Sequence, residues 1–194
     1  KKGGGEKEGG RKKGREGREG ERKEAKRGQP AWIFLKLNSL VDEELIAALY
    51  RASQGGVQIR CIVRGICSLI PGVPQLSEHI QVVSIIDRYL EHSRVYAFGH
   101  GGKTKHYLSS ADWMARNMVH RVELAFPLDN PSLQQEMLDL MEIQWSDCTQ
   151  SRTLNGPQAN RRRVPEQDSP QGSGNPVRAQ AAFHDYLRQL KLEN

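Results

Sequence analysis

Residues 31–63 read AWIFLKLNSLVDEELIAALYRASQGGVQIRCIV, and this stretch decides the fold. Its first seven residues form an apolar run with the length of a buried β-strand. Apolar residues then recur at helical spacing between Val41 and Tyr50, and Gly55-Gly56 ends that segment. Residues 57–63 alternate as a second strand. The order strand, helix, strand predicts a βαβ unit with two parallel neighbouring strands.

Residues 38–42 separate the first strand from the helix and are rich in capping side chains. Ser39 and Asp42 have the spacing of a capping box, so we expect the helix to begin directly after them.

The rest of the chain predicts a mixed sheet with helices packed against it. The prolines Pro71 and Pro74 mark a loop after the second strand. The expected elements beyond it are strand 80–86, a short helical segment leading into His92, a hairpin of strands 94–98 and 107–110, strand 122–126, helix 132–145 and helix 177–192.

The composition divides the chain into four parts. Residues 1–28 consist almost only of Gly, Lys, Arg and Glu and contain no large apolar residue, so we expect a disordered tail. An α/β domain is expected over residues 29–150, a polar loop or linker over 151–176, and a C-terminal helix packed on the domain over 177–194. The tail is open to three interpretations: a solvated spacer, an arm that contacts RNA, or the start of a fragment whose upstream sequence is missing or replaced.

The net charge of +6 comes entirely from that tail. Residues 1–28 carry 12 Lys and Arg against 6 Glu, which leaves 17 basic and 17 acidic residues in the rest of the chain. Because the globular part is neutral, attraction for an anionic ligand must come from a local cluster of cations. We therefore do not expect the domain to bind nucleic acid.

The three cysteines, an odd number with no metal-ligand spacing, are typical of a reducing compartment and predict a cytoplasmic location. No apolar run is long enough to span a bilayer, and the charged N-terminus is unlike a signal peptide.

Three groups of residues are candidates for phosphate chemistry. Arg64 follows the second strand, where open α/β sheets bind ligands, and its guanidinium suits phosphate; a surface ion pair is the alternative. His92 and Arg94, two residues apart in an expected strand, should share a face and combine a proton or phosphoryl acceptor with a cation; a structural histidine is the alternative. Ser110 and Asp112 end a strand, where they favour either an anion site or ordinary helix capping.

Several segments, in the same order along the chain, resemble the C-terminal catalytic domain of the type 1 polyphosphate kinase family. The resemblance runs from about residue 35 to residue 126 and is weaker near the end. The matching segments are KLNSLVD at 36–42, LYRASQ at 49–54, IVRGIC at 62–67, PGVP at 71–74, LSE at 76–78, LEHSR at 90–94, SSADWM at 109–114, RN at 116–117 and RAQ at 178–180.

The resemblance implies a phospholipase-D-like fold and a reversible transfer of the terminal phosphate of ATP to polyphosphate through a phosphohistidine. It places Arg64 and His92 on family positions that contact ATP phosphates, with His92 as a catalytic acid/base or charge stabiliser. Arg94 and Ser110 are further phosphate-binding candidates, expected from their own placement. The phosphorylated histidine and the arginines associated with Mg²⁺ belong to a preceding domain, so no metal ligands are expected in this chain.

That preceding domain is the expected partner, and residues 1–28 occupy its place here. We therefore expect this chain to supply half of a phosphate site and to be inactive alone. The resemblance further implies ATP, ADP and polyphosphate as ligands, a homo-oligomer for the full-length enzyme, and a peripheral association with the inner membrane. Two alternatives stay open: a phospholipase-D-like phosphodiesterase, and a non-enzymatic module that binds polyphosphate or RNA.

Overall fold

The computed structural model describes residues 31–155, 160–164 and 176–193. The predicted disordered tail lies outside these ranges, as do residues 156–159 and 165–175 of the predicted linker. Among the helices of the described ranges, none is both long and apolar enough to cross a membrane.

Seven strands form one mixed sheet in the described part of the chain, in the order β6-β5-β4-β1-β2-β3-β7. Strands β1, β2 and β3 are mutually parallel, and the other pairings are antiparallel. The strands are β1 Ala31–Leu37, β2 Gln58–Val63, β3 Ile80–Ile85, β4 Arg94–His100, β5 Lys103–Ser109, β6 Ala125–Leu128 and β7 Ser151–Leu154. The helices are α1 Glu43–Gln54, α2 Pro131–Trp145 and α3 Ala179–Glu193, with a single π-helical turn at Arg116–His120.

The predicted βαβ unit is confirmed. Strand β1 pairs in parallel with β2, and Ile33 lies opposite Ile59. Helix α1 begins after Asp42, whose side chain accepts a hydrogen bond from the Leu45 N–H at 3.0 Å. This bond satisfies one of the amide groups that the first helical turn leaves without a partner. The helix ends at Gly55, as the sequence predicts.

Both faces of the sheet are covered, because alternate side chains of β1 point to opposite sides. Ile33 and Leu35 belong to a core cluster that includes the apolar residues of α1. Phe34 belongs to a second cluster with Met141 of α2, and its ring meets that of Trp145 edge-on at 5.6 Å. The sheet is therefore the middle of three layers, which explains why residues 31–37 are apolar throughout.

Three predicted elements differ from the structure. Residues 86–93 contain no helix, so the predicted helical segment before His92 is wrong. The strand predicted at 122–126 begins only at Ala125. Asp112 does not cap a helix: its carboxylate binds the backbone of the distant residues Asn38 and Ser39. In each case long-range contacts determine the local conformation.

The predicted linker is also wrong at its start. Residues 151–154 form β7, which pairs with β3 and places Leu154 opposite Val82. The ordered domain therefore extends beyond residue 150. This strand is short and mostly polar because it lies near the edge of the sheet, so its sequence lacks the alternation that identifies half-buried strands.

The buried carboxylate of Asp147 connects β7 to α3. One carboxylate oxygen accepts hydrogen bonds from the N–H groups of Thr149, Gln150 and Ser151 at 2.7–3.0 Å. The other accepts the N–H of Ala179, the first residue of α3, at 2.7 Å. Asp147 thus caps the C-terminal helix from a position 32 residues earlier and fixes where that helix begins.

His106 is a buried titratable side chain in the sheet. It lies on β5 between Ala97 and Leu128 on the neighbouring strands and is 1 % exposed. Neither ring nitrogen has a hydrogen-bond partner among the described residues. Burial lowers the pKa of His106, because the charged ring loses its hydration.

We expect His106 to make the fold sensitive to acid. Its pKa is lower in the folded state than in the unfolded state, where it is about 6.5. The free energy of unfolding should therefore be unaffected above that pH and fall as the pH decreases below it. A His106→Met variant should show a shallower decrease between about pH 6.5 and pH 5 in urea unfolding.

The exposed His184 of α3 offers the matched control. A His184→Met variant should retain the acid sensitivity of the parent chain. An unchanged pH dependence in His106→Met would contradict the assignment to His106.

Candidate phosphate site

The candidate site lies at the edge of the sheet that is formed by strand ends, not along an outer strand. Strands β1 and β2 are parallel and end at this edge, where Asn38 and Arg64 follow them. Strand β4 is antiparallel to β1, so its first residue, Arg94, lies at the same edge. His92 precedes β4 by two residues, so the prediction that His92 lies within the strand is wrong. The carboxyl ends of parallel strands are where open α/β sheets bind ligands.

The structure brings Arg64 and His92 into contact. An NH2 group of the half-buried Arg64 lies 2.9 Å from Nδ1 of the exposed His92. A guanidinium only donates hydrogen bonds, so Nδ1 is the acceptor and the proton of a neutral ring sits on Nε2. The Arg64 Nε donates to the Asn38 side-chain oxygen at 2.5 Å, which fixes the guanidinium plane.

Gly65 allows the close approach of the chain segments beside Arg64. Its N–H donates to the Asn38 carbonyl oxygen at 2.8 Å. A Cβ atom at position 65 would lie only 2.7 Å from that same oxygen. A larger residue would therefore push the loop that carries Arg64 away from Asn38.

A buried carboxylate, Asp112, holds the loop that follows β1. It accepts hydrogen bonds from the N–H groups of Asn38 at 2.7 Å and of Ser39 at 3.2 Å. Arg94 forms an ion pair with it, with NH2 at 2.9 Å from the second carboxylate oxygen. Burial alone would raise the pKa of Asp112, but the hydrogen bonds from Arg94 and the two amides outweigh burial and lower it.

Five residues close into a ring of polar contacts. Asp112 holds Asn38, Asn38 holds Arg64, and Arg64 contacts His92. The His92 carbonyl accepts a hydrogen bond from Arg94 Nη1 at 2.9 Å, and Arg94 Nη2 donates to Asp112, which closes the ring. The ring joins four separate chain segments, so the Arg64–His92 pair is fixed from both sides.

A second carboxylate, Glu91, anchors the segment before His92. Lys36 Nζ lies 2.9 Å from one Glu91 oxygen, and the Lys36 side chain is only 7 % exposed. Gln144 of α2 donates to the same oxygen at 2.6 Å. A buried lysine requires such a partner, since desolvating an unpaired charge is costly.

Helix α3 and the residue before it also bind the segment of residues 87–91. The Gln180 side-chain amide accepts the Tyr89 N–H at 3.1 Å and donates to the Tyr89 carbonyl at 2.8 Å, as a neighbouring strand would. It also donates to Glu91 at 3.2 Å. Arg178 binds Asp87 through two nitrogens, and its hydrogen bond lowers the pKa of that carboxyl.

Ser110 lies in a different environment from the Arg64–His92 pair. Its hydroxyl donates to Glu123 and accepts the Leu124 N–H at 3.0 Å. A serine hydroxyl has one proton to donate, and here it is hydrogen-bonded to the Glu123 carboxylate. Among the described residues, no hydrogen bond joins Ser110 to Arg64 or His92.

Sequence reasoning missed the residues that support the pair, above all Asn38, Glu91, Gln144 and Gln180. Their partners are 26 to 91 residues away in the chain, so no local pattern reveals them. One signal was available: Lys36 interrupts an otherwise apolar strand, which indicates a buried charge with a partner.

No group of three or more His, Cys, Asp and Glu side chains is placed to hold a metal ion within the described ranges. The site instead presents hydrogen-bond donors. The Arg64 guanidinium and the Nε2–H of His92 are suited to bind an oxyanion such as phosphate.

Known polyphosphate kinases are similar to this chain. The polyphosphate kinase of Escherichia coli (strain K12) is 47 % identical over 167 residues, which cover 86 % of this chain and 23 % of that protein. The Yersinia pestis polyphosphate kinase is 48 % identical over the same coverage. A crystal structure of polyphosphate kinase from Porphyromonas gingivalis matches with a TM-score of 0.84 and 41 % identity, over 92 % of this chain and 26 % of that one.

The chain thus spans about a quarter of the length of the relatives it matches. The match to the Porphyromonas structure confirms the predicted mixed α/β sheet flanked by helices. These findings do not favour the phosphodiesterase or the non-enzymatic binding module. The family model for the polyphosphate kinase C-terminal domain 2 matches residues 14–174. The chain therefore belongs to the polyphosphate kinase family.

Proposed function

We propose that this domain forms one half of the ATP and polyphosphate site of a polyphosphate kinase. The reaction is the reversible transfer of the terminal phosphate of ATP to a growing polyphosphate chain. The observation that carries the proposal is the 2.9 Å contact between Arg64 and His92 at the ligand-binding edge of the sheet. The names of the relatives support the reaction, and the phosphohistidine itself is proposed to lie elsewhere in the longer kinase.

The two residues have separate proposed roles. In the transfer, the bond between the γ-phosphorus and the β,γ-bridging oxygen breaks, a bond to the acceptor forms, and charge spreads over the phosphoryl oxygens. Arg64 binds those oxygens as a planar double donor. His92 is the catalytic side chain, because its Nε2–H can donate to the phosphate and stabilise this charge.

Arg94 and Ser110 are weaker candidates for phosphate contact. Nitrogens of Arg94 already bind Asp112 and the His92 carbonyl, and its side chain is 12 % exposed. We therefore propose that Arg94 mainly positions His92. A phosphate contact by Ser110 would require its hydroxyl to leave Glu123.

The remaining parts of the proposal rest on the family resemblance. ATP, ADP and polyphosphate are the proposed ligands, and the preceding domain of the kinase is the proposed partner. Mg²⁺ would be held by residues of that domain, so no step is assigned to the metal here. A homo-oligomer and a cytoplasmic location, peripheral to the inner membrane, are proposed for the longer kinase.

Substitution of the central pair should weaken phosphate binding. Arg64→Ala removes a charge-assisted donor and should weaken binding of tripolyphosphate about tenfold or more, measured by titration calorimetry. His92→Ala should have a smaller effect in the same direction, because one donor is lost while the Arg64 guanidinium stays.

The control is Arg51→Ala, which removes an exposed arginine from α1. It should bind tripolyphosphate like the parent chain. Binding that survives both site substitutions and requires only residues 1–28 would support a tail-based binding module instead.

The chain alone should not synthesise polyphosphate at a measurable rate. The proposed half-site has no phosphoryl-accepting histidine of its own, so transfer of labelled phosphate from ATP to acid-insoluble polyphosphate should be negligible. Robust synthesis by the chain, abolished by His92→Ala, would show that the site is complete without another domain.

Gln180 should position His92 without touching the ligand. With the ring neutral, the Arg64 contact predicts that the proton resides on Nε2 of His92. In Gln180→Leu the segment from residue 87 to residue 92 loses three hydrogen bonds, so the ring should populate both tautomers. Nitrogen-15 NMR of labelled histidine measures this, and tripolyphosphate binding should weaken a few-fold.

Gln189→Leu is the matched control, since Gln189 lies exposed on the same helix. It should leave the tautomer and the binding unchanged. A purely stabilising role for Gln180 would lower the unfolding midpoint while leaving the His92 tautomer as in the parent chain, and that result would rule out positioning.

A further inference from the structure

A local cluster of positive charge lies outside the candidate phosphate site. Between Asp147 and Glu166 the sequence contains four arginines and no acidic residue. Without these four, residues 29–194 carry 13 Lys and Arg against 17 Asp and Glu, so this cluster stands out. Its members are Arg152, Arg161, Arg162 and Arg163.

Two of these arginines face each other across a β-bridge. Arg152 of β7 pairs in antiparallel orientation with Arg162. The flanking hydrogen bonds run from the Thr153 N–H to the Arg161 carbonyl and from the Arg163 N–H to the Ser151 carbonyl, both at 3.0 Å. The Arg152–Arg162 pair is therefore of the non-hydrogen-bonded type, in which Cα atoms are only about 4.5 Å apart and side chains are closest.

Like charges in this arrangement repel each other. Both side chains are exposed, and no carboxylate of the described residues forms an ion pair with either. Arg152 NH1 donates to the Asn160 carbonyl at 3.0 Å, which orients the guanidinium but does not neutralise it. Arg163 differs, because it donates to the Trp145 carbonyl and lies over that ring.

The pair lies near the edge of the sheet that carries Arg64. Strand β7 neighbours β3, with Arg152 opposite Ser84, one residue before β3 ends. Strand β3 in turn neighbours β2, which ends directly before Arg64. Adjacent strands are about 4.8 Å apart, so the backbones of β2 and β7 are separated by roughly 10 Å.

We propose that Arg152 and Arg162 form a second subsite for a chain of phosphate groups that extends from the Arg64–His92 site. A bound phosphate group would relieve the repulsion between the two guanidinium groups and would accept hydrogen bonds from both. Because β2, which ends before Arg64, and β7, which carries Arg152, are roughly 10 Å apart, a phosphate chain that contacts both arginines must extend along this end of the sheet, which favours a long chain over a short one. This inference rests on the proposed function.

The test compares ligands of two lengths. In Arg152→Gln/Arg162→Gln, the affinity for long-chain polyphosphate should fall about tenfold or more, while that for tripolyphosphate stays within about twofold. The salt dependence of long-chain binding should also become shallower, by about one to two in the logarithmic slope. Arg51→Gln/Arg188→Gln removes the same charge from exposed positions on α1 and α3 and should change neither affinity.

The outcomes separate this subsite from the function it rests on. The proposed function would be contradicted if tripolyphosphate did not bind, or if Arg64→Ala left its binding unchanged. Long-chain binding that is equal in the double variant and the parent chain would overturn only the second subsite. If the parent chain binds a single-stranded DNA oligonucleotide of matched charge as tightly as long-chain polyphosphate, and the double variant loses that binding, the pair is reassigned to nucleic acid.

Discussion

The arrangement of the site depends on the ionised carboxylate of Asp112. This side chain is 4 % exposed, and it fixes the loop after β1 against the end of β5 through two backbone amides. The neighbouring backbone continues the contact, since the N–H groups of Val41 and Asp42 both donate to the Trp113 carbonyl at 2.8 Å. Without the carboxylate, the guanidinium of Arg94 would be left without its counter-ion, which is among the costliest changes in a protein interior.

The consequence for function is that Arg64 and His92 are oriented before any ligand binds. Asn38, itself held by Asp112, fixes the Arg64 guanidinium, and Arg94 fixes the His92 backbone. Groups aimed in advance at a developing charge need no reorganisation during the reaction, which is the main source of electrostatic catalysis. The polar ring therefore links the stability of the sheet edge to the chemistry proposed for it.

The sequence was sufficient for the parts of the fold that local patterns determine. The apolar run, the Asp42 cap and Gly55 specify the βαβ unit, and Arg64 could be placed at a ligand-binding edge from that unit alone. His92 could be picked out from its spacing to Arg94, and the resemblance to a family assigned it a contact with ATP phosphates. The conformation of residues 86–93 could not be predicted, because Lys36, Gln144 and Gln180 hold it from elements up to 91 residues away. Strand β7 could not be predicted for a similar reason. Its residues are mostly polar, and contacts with Asp147 and β3 hold it in the sheet.

The balance of acidic and basic residues limits how this chain can bind polyanions. Because residues 29–194 carry 17 acidic and 17 basic residues, they have no general field to attract polyanions, and each arginine proposed to bind phosphate must act through its own geometry. Arg94 is neutralised by Asp112 and Arg178 by Asp87, so these two act within the fold. Arg64 instead contacts Asn38 and His92, and no carboxylate of the described residues forms an ion pair with it, so its charge is oriented without being cancelled. A guanidinium that is positioned without a carboxylate keeps its charge available for phosphate, and this distinction separates the arginine proposed to bind phosphate from the structural ones.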